Sequence, residues 1–242
     1  MVKLTTGERL DDEGNPIPGT GFEYESEGRV AELLAKRTSP LLYSSLQGEW
    51  VWMIPDDSSG ENERCVAVCP TGNDGPPVHY HPSFEEHFKV VAGSWIVKAD
   101  SKELTLNVGD DILAKRGMVH TYRCVGEEGG FGVMEIDIIP AIGFEGALRS
   151  IFGEQNDYNL NARRSLPPLL QLYVTFRDYR TRSGLRWTEF AIGVPPGKTV
   201  MTILNILSVV IAPFGRLLGY KAKYPHHYED EFWEKLVVQP PK

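Results

Sequence analysis

The chain has 242 residues, of which 41% are hydrophobic and 24% charged. That is globular composition, long enough for a sizeable core, and it excludes a wholly disordered or collagen-like chain. The formal net charge of −8 argues against a general nucleic-acid binder, which needs a basic face. There is no apolar segment at the N-terminus and no Asn-x-Ser/Thr acceptor, and Cys65, Cys69 and Cys124 are an odd set. The expectation is a cytoplasmic protein with reduced thiols.

Residues 1–25 are polar and rich in Gly, Asp and Glu, and read as an irregular arm. Residues 26–38 open with Ser26 as a cap and set Val30, Leu33 and Leu34 on one face, which predicts a short helix. From Gly48 to Pro140 the pattern turns to short runs of period two, broken by Gly, Pro, Asn and Asp. The runs fall at 50–54, 64–69, 78–81, 86–91, 94–98, 103–108, 111–114, 121–125 and 131–139. Strands at that spacing predict a mainly β protein, an antiparallel sandwich or barrel rather than a βαβ fold. After residue 141 the pattern is helical, with helices expected at 143–152, 167–180, 199–215 and 228–237. The implied division is an N-terminal arm and helix over 1–44, a β-barrel over 45–140 and a C-terminal helical extension over 141–242.

Metal-ligating residue types converge in the barrel. Side chains two apart on a strand share a face, so His79 and His81 project together while Tyr80 points away. Glu86 follows a Pro82-Ser83 turn and opens the next strand. Glu85 and His87 flank it and should point the opposite way. His120 lies beyond the Gly117 turn and completes a set of three imidazoles and one carboxylate. Such a set suits one divalent ion among Fe, Mn, Zn, Ni and Cu, with positions left for water, O2 or a chelating substrate.

Here the chain resembles the cupin superfamily, whose first motif is G-x5-H-x-H-x3–4-E-x6-G and second is G-x5-P-x-G-x2-H-x3-N. His79, His81, Glu86 and Gly93 match the first, with Gly75 three residues before His79 rather than five. Gly109, Gly117 and His120 match the second, with Lys115 at the Pro position and Cys124 at the Asn position. The segments at 169–180 and 212–220 also look like the tail of a group of small single-cupin proteins. The resemblance implies a jelly-roll-like barrel with a metal in its cup, and no particular reaction.

Strand alternation places Phe88, Tyr122, Cys124, Met134 and Ile136 on the metal side, with Glu135 and Asp137 facing out. Trp50 and Trp52 share a face and are expected in the cup wall. An apolar, aromatic cup suits a hydrophobic organic molecule with an oxygen to chelate. The expected function is a metal-dependent enzyme on such a molecule, with dioxygenase chemistry placed ahead of isomerase, cyclase or lyase chemistry. The alternative is a small-molecule-binding protein without turnover. Cys124 is a candidate thiol only if its pKa is depressed. His226-His227 reads as solvated surface, because neighbouring residues point different ways. Residues 199–215 carry no charge but fall short of a membrane span. They are expected to pack on the barrel, a partner subunit or the cup mouth, with peripheral membrane contact as the second choice. A homodimer is expected to cover strand edges and apolar helix faces.

Overall fold

Alternation fixes which residues this fold buries. The computed structural model describes residues 2–56, 61–158, 166–178, 182–183 and 198–241. Its strands are β1 (Lys3–Thr6), β2 (Phe22–Glu25), β3 (Leu42–Ser44), β4 (Glu49–Ile54), β5 (Glu63–Pro70), β6 (His79–Tyr80) and β7 (Glu85–Ala92). They continue with β8 (Ser94–Ala99), β9 (Lys102–Leu106), β10 (Asp111–Ala114), β11 (His120–Val125), β12 (Phe131–Ile139) and β13 (Arg182–Ser183). A six-stranded sheet runs β10-β7-β12-β5-β4-β3, and a five-stranded sheet runs β13-β6-β11-β8-β9. All their pairings are antiparallel.

The sheets face each other as a jelly roll. Between them lie Val51, Met53, Cys65, Ala67, Cys69, Phe88, Val90, Met134, Ile136 and Ile138 from the larger sheet. Trp95, Val97, Leu106, Tyr122 and Cys124 meet them from the smaller one. On β7, Glu86, Phe88 and Val90 are buried while Glu85, His87 and Lys89 are less so, which is the half-buried pattern of period two. Glu135 and Asp137 face out as expected. Arg64 bonds both, at 2.7 Å and 2.8 Å, and Lys89 reaches Asp137 at 2.6 Å.

The outer face of the larger sheet is also apolar, and the N-terminal segment covers it. Residues 3–25 are not an irregular arm. β1 and β2 pair from Lys3↔Glu25 to Thr6↔Phe22. Phe22 packs with Leu33 and Leu34 of α1 (Arg29–Ala35) over Trp50, Trp52, Val66 and Val68. Burying this second layer removes a large aromatic surface from water. The helix is capped at Gly28 without a side-chain bond, so Ser26 is not its cap. The larger sheet begins at Leu42, three residues before the expected barrel boundary.

The C-terminal part supplies α2 (Phe144–Tyr158), α3 (Leu166–Asp178), α4 (Lys198–Leu217), a 3-10 helix at Pro225–Tyr228 and α5 (Asp230–Glu234). Glu63 on β5 accepts the backbone N–H groups of Ile142, Gly143 and Phe144 at 2.7–2.9 Å, satisfying orphan donors at the start of α2. The chain then returns to the N-terminal arm. Val238 N–H donates to Glu8 O at 2.8 Å, and Gly7 N–H donates to Val238 O at 3.0 Å. Thus the two ends of the described chain lie against each other rather than forming independent outer units. No helix among the described residues is long and apolar enough to cross a membrane.

Candidate metal centre

The ligand cluster is built by two turns. Gly75 adopts φ +62, and a Cβ there would come within 1.7 Å of Tyr122 O, so only glycine allows this loop to lie against β11. Thr121 Oγ1 then donates to Pro76 O at 2.6 Å. This fixes the approach to β6, where His79 pairs opposite His120. The Gly117 turn is tied to the same place, since Gly117 N–H donates to His81 O at 2.9 Å. The shortened spacing from Gly75 to His79 is therefore a tight loop held by β11.

These turns bring His79, His81, Glu86 and His120 together, with one ligand atom from each lying within 4.8 Å of the others. His81, Glu86 and His120 are buried. His79 Nδ1 lies 2.8 Å from Pro77 O, and His120 Nδ1 lies 3.0 Å from Met118 O. A proton on each Nδ1 leaves Nε2 free to face the cluster, the arrangement common to histidine ligands. Glu86 Oε2 lies 2.8 Å from His120 Nε2 and 3.3 Å from His81 Nε2. Both ring nitrogens of His81 are buried without a hydrogen-bond partner, its Nε2 lying only in ion-pair range of Glu86.

The protonation states suit a cation. Burial, reinforced by the neighbouring imidazoles, pushes His79 well down, and burial also lowers His81. Burial opposes charge on Glu86, but His81 and His120 outweigh it and hold the carboxyl well below the usual range. At His120 burial is likewise outweighed, by the hydrogen bond and charge of Glu86, and the pKa rises. Two neutral imidazoles beside an ionised carboxylate are ligand forms, and a divalent ion would take the place of the proton shared with His120. The buried donors without partners, the inward Nε2 atoms and the negative carboxylate all fit such an ion.

The structure places some of the expected wall residues between the sheets and others outside. Phe88, Tyr122, Cys124, Met134 and Ile136 lie between the sheets. Trp50 and Trp52 do not. They occupy the outer face, where Trp50 Nε1 donates to Gly7 O at 2.8 Å and Trp52 Nε1 donates to Leu33 O at 3.1 Å. The strand actually starts at Glu49, so Glu49, Val51 and Met53 are the inward residues. Near the ligands the apolar groups are Phe84, stacked on His81 at 3.9 Å, and Phe144, 6.2 Å from Phe84.

Sequence reasoning missed Glu49. It is buried, and Tyr122 Oη donates to its Oε1 at 3.0 Å. Burial lifts its carboxyl to about 7. The signal was available, because Glu49 shares the parity of Val51 and Met53. Burial pushes Cys124 up to about 11 and Cys65 and Cys69 well above the usual range, so none is an activated thiol. His87 faces outward and bonds Asp111 at 2.6 Å, as its position beside Glu86 required.

Two facing antiparallel sheets with an inward cluster of three histidines and a carboxylate define a jelly-roll metal-centre architecture. Residues 66–136 match the family model described as Cupin domain, so the chain contains a cupin domain. No curated protein sequence matches the chain. Solved structures similar to it include KdgF from Halomonas sp., 15% identical with a TM-score of 0.36 over 40% of this chain and 83% of that one. An RmlC-like cupin from Shewanella frigidimarina is 20% identical with a TM-score of 0.37, covering 43% of this chain and 86% of its own. A predicted oxalate decarboxylase from Thermotoga maritima is 17% identical with a TM-score of 0.36, over 43% and 93% of the two chains. Scores this low carry no argument about activity.

Proposed function

We propose that the chain is a metal-dependent enzyme acting on a small, largely apolar organic molecule that offers an oxygen to the ion. The observation that carries this reading is His81. A buried imidazole whose nitrogens make no hydrogen bond, with only a carboxylate 3.3 Å from one of them, is costly unless something else binds it, and it sits among three further inward residues of ligand type. A divalent cation held by His79, His81, Glu86 and His120 supplies a Lewis acid that polarises a bound oxygen. The chain's own part is orientation and exclusion of water. Pro77 O and Met118 O hold the two imidazoles, while Phe84 and Phe144 provide apolar surface beside them.

Dioxygenase chemistry is the favoured reaction class, because mixed imidazole and carboxylate sets suit redox metals. Zinc as the native ion would favour isomerase, cyclase or lyase chemistry instead. Glu49 is linked to the cluster through ring contacts, from Tyr122 to Phe88 at 5.6 Å and from Phe88 to His120 at 5.8 Å. A binding protein without turnover is the second reading.

Cobalt-loaded protein tests the open coordination that catalysis needs. Adding a bidentate oxygen chelator such as a hydroxamate should shift those visible cobalt bands that wild-type protein shows and His120→Ala protein lacks. An unchanged spectrum in the wild type would overturn the proposal.

A further inference from the structure

We infer that Asp157, His226 and His227 form a second divalent transition-metal site, a clip between α2 and the C-terminal tail. The two histidines are adjacent in sequence, yet the 3-10 helix turns both Nε2 atoms onto one carboxylate oxygen. His226 Nε2 lies 2.8 Å and His227 Nε2 2.7 Å from Asp157 Oδ2. Their reading as unconnected surface groups is therefore corrected. Donors about 2.0–2.2 Å from one ion stand roughly 2.8–3.6 Å apart in octahedral or tetrahedral geometry. The two N–O distances need to open by less than about 1 Å to admit it.

The place is built. Gly153 precedes Asp157 by one helical turn on the same face of α2. A Cβ at Gly153 would lie 2.4 Å from the His227 ring, so the missing side chain is the seat of that imidazole. Glycine is unfavourable inside a helix relative to alanine, and here it admits the ring. Tyr224 and Phe232 flank His227 at 5.7 Å and 5.1 Å, and Trp233 Nε1 donates to His227 O at 2.9 Å. Arg149 on α2 bonds Asp230 at 2.7 Å along the same seam.

The chemistry sets the ion class. Two imidazoles and one carboxylate suit zinc, cobalt, nickel or copper rather than magnesium or calcium. The His227 side chain is fully buried, while those of His226 and Asp157 are 48% and 31% exposed. One side of the cluster thus meets water, which can complete the coordination and lets the ion exchange. The site shares no residue with the jelly-roll cluster, so the two can be emptied separately.

Zinc titration by calorimetry tests this on the full chain after chelator treatment. A His81→Ala, Glu86→Gln variant should still bind about one zinc per chain, in the micromolar range or tighter. Adding His226→Gln or Asp157→Asn should weaken that binding at least about tenfold, as expected for a direct ligand. In otherwise wild-type protein, His226→Gln alone should lower the stoichiometry from two to one, which keeps the test usable should the barrel variant fold poorly. Zinc should also raise the melting temperature of the barrel variant and not of its His226→Gln derivative. A wild-type stoichiometry of one that His226→Gln leaves unchanged would overturn the inference. Binding only at millimolar zinc would do the same.

Discussion

Glu49 and Glu154 are buried, and each keeps its proton further up the pH scale than a free carboxyl. Burial moves Glu49 from 4.5 to about 7 and Glu154 from 4.5 to about 9. Glu154 is held by Gln171 and Thr175 of α3. In both cases the folded state binds the proton more tightly than the unfolded chain. Stability from these groups is therefore complete below 4.5 and falls as pH rises, to about 7 for Glu49 and about 9 for Glu154. Glu154→Gln should be nearly neutral at pH ~5 and stabilising at pH ~8.5, on the order of a few kcal/mol. Glu49→Gln should flatten only the lower part of the curve. Urea denaturation across pH checks both, and parallel wild-type and Glu154→Gln curves would contradict the assignment. The clustering of His79, His81, Glu86 and His120 was legible because parity and turn spacing are local. Glu154 was not, since only the docking of α3 on α2 makes that position interior.

At the scale of elements, α4 departs most from expectation. It packs on α3, with Ala212 fully buried beside Val174. Its outer face leaves Val209, Val210, Phe214 and Leu217 exposed, the last at 82%, together with Ile206 at 63%. One neighbouring helix covers one face of such an uncharged run and leaves the opposite face open. Ala212→Leu should destabilise by about 1–3 kcal/mol through overpacking. Ile206→Asp and Val210→Asp should each leave a chain with the wild-type circular dichroism spectrum at about 25 °C, where the same changes in a wholly buried helix would unfold it. Circular dichroism melts distinguish these outcomes. β1 and β2 escaped the sequence reading for a related reason. Their alternation is weak, and they exist because the outer tryptophans of β4 need a cover.

For the whole molecule, the exposed stripe of α4 supports a proposed homodimer, in which a second copy covers it. Light scattering at micromolar concentration should give twice the chain mass, and Val210→Asp with Phe214→Asp should halve it. A monomeric wild type would contradict the proposal, and wild-type binding to anionic vesicles would assign the stripe to a membrane surface. Fold class and most strands could be read from period two within short windows. The closing of the tail onto the N-terminal arm could not, because it joins residues such as Glu8 and Val238 that no local pattern relates.

The central claim is that His79, His81, Glu86 and His120 hold a divalent ion inside a fold that stands without it. Elemental analysis of protein purified without added metal, compared with single variants of known fold, tests it most directly. Relative to wild type, His120→Ala and Glu86→Gln should each lose close to one equivalent of metal while keeping the wild-type circular dichroism spectrum. Glu85→Gln, altered on the opposite face of β7, should keep its metal. If His120→Ala and Glu86→Gln retained wild-type metal content, or if Glu85→Gln lost it, the proposed centre would be wrong.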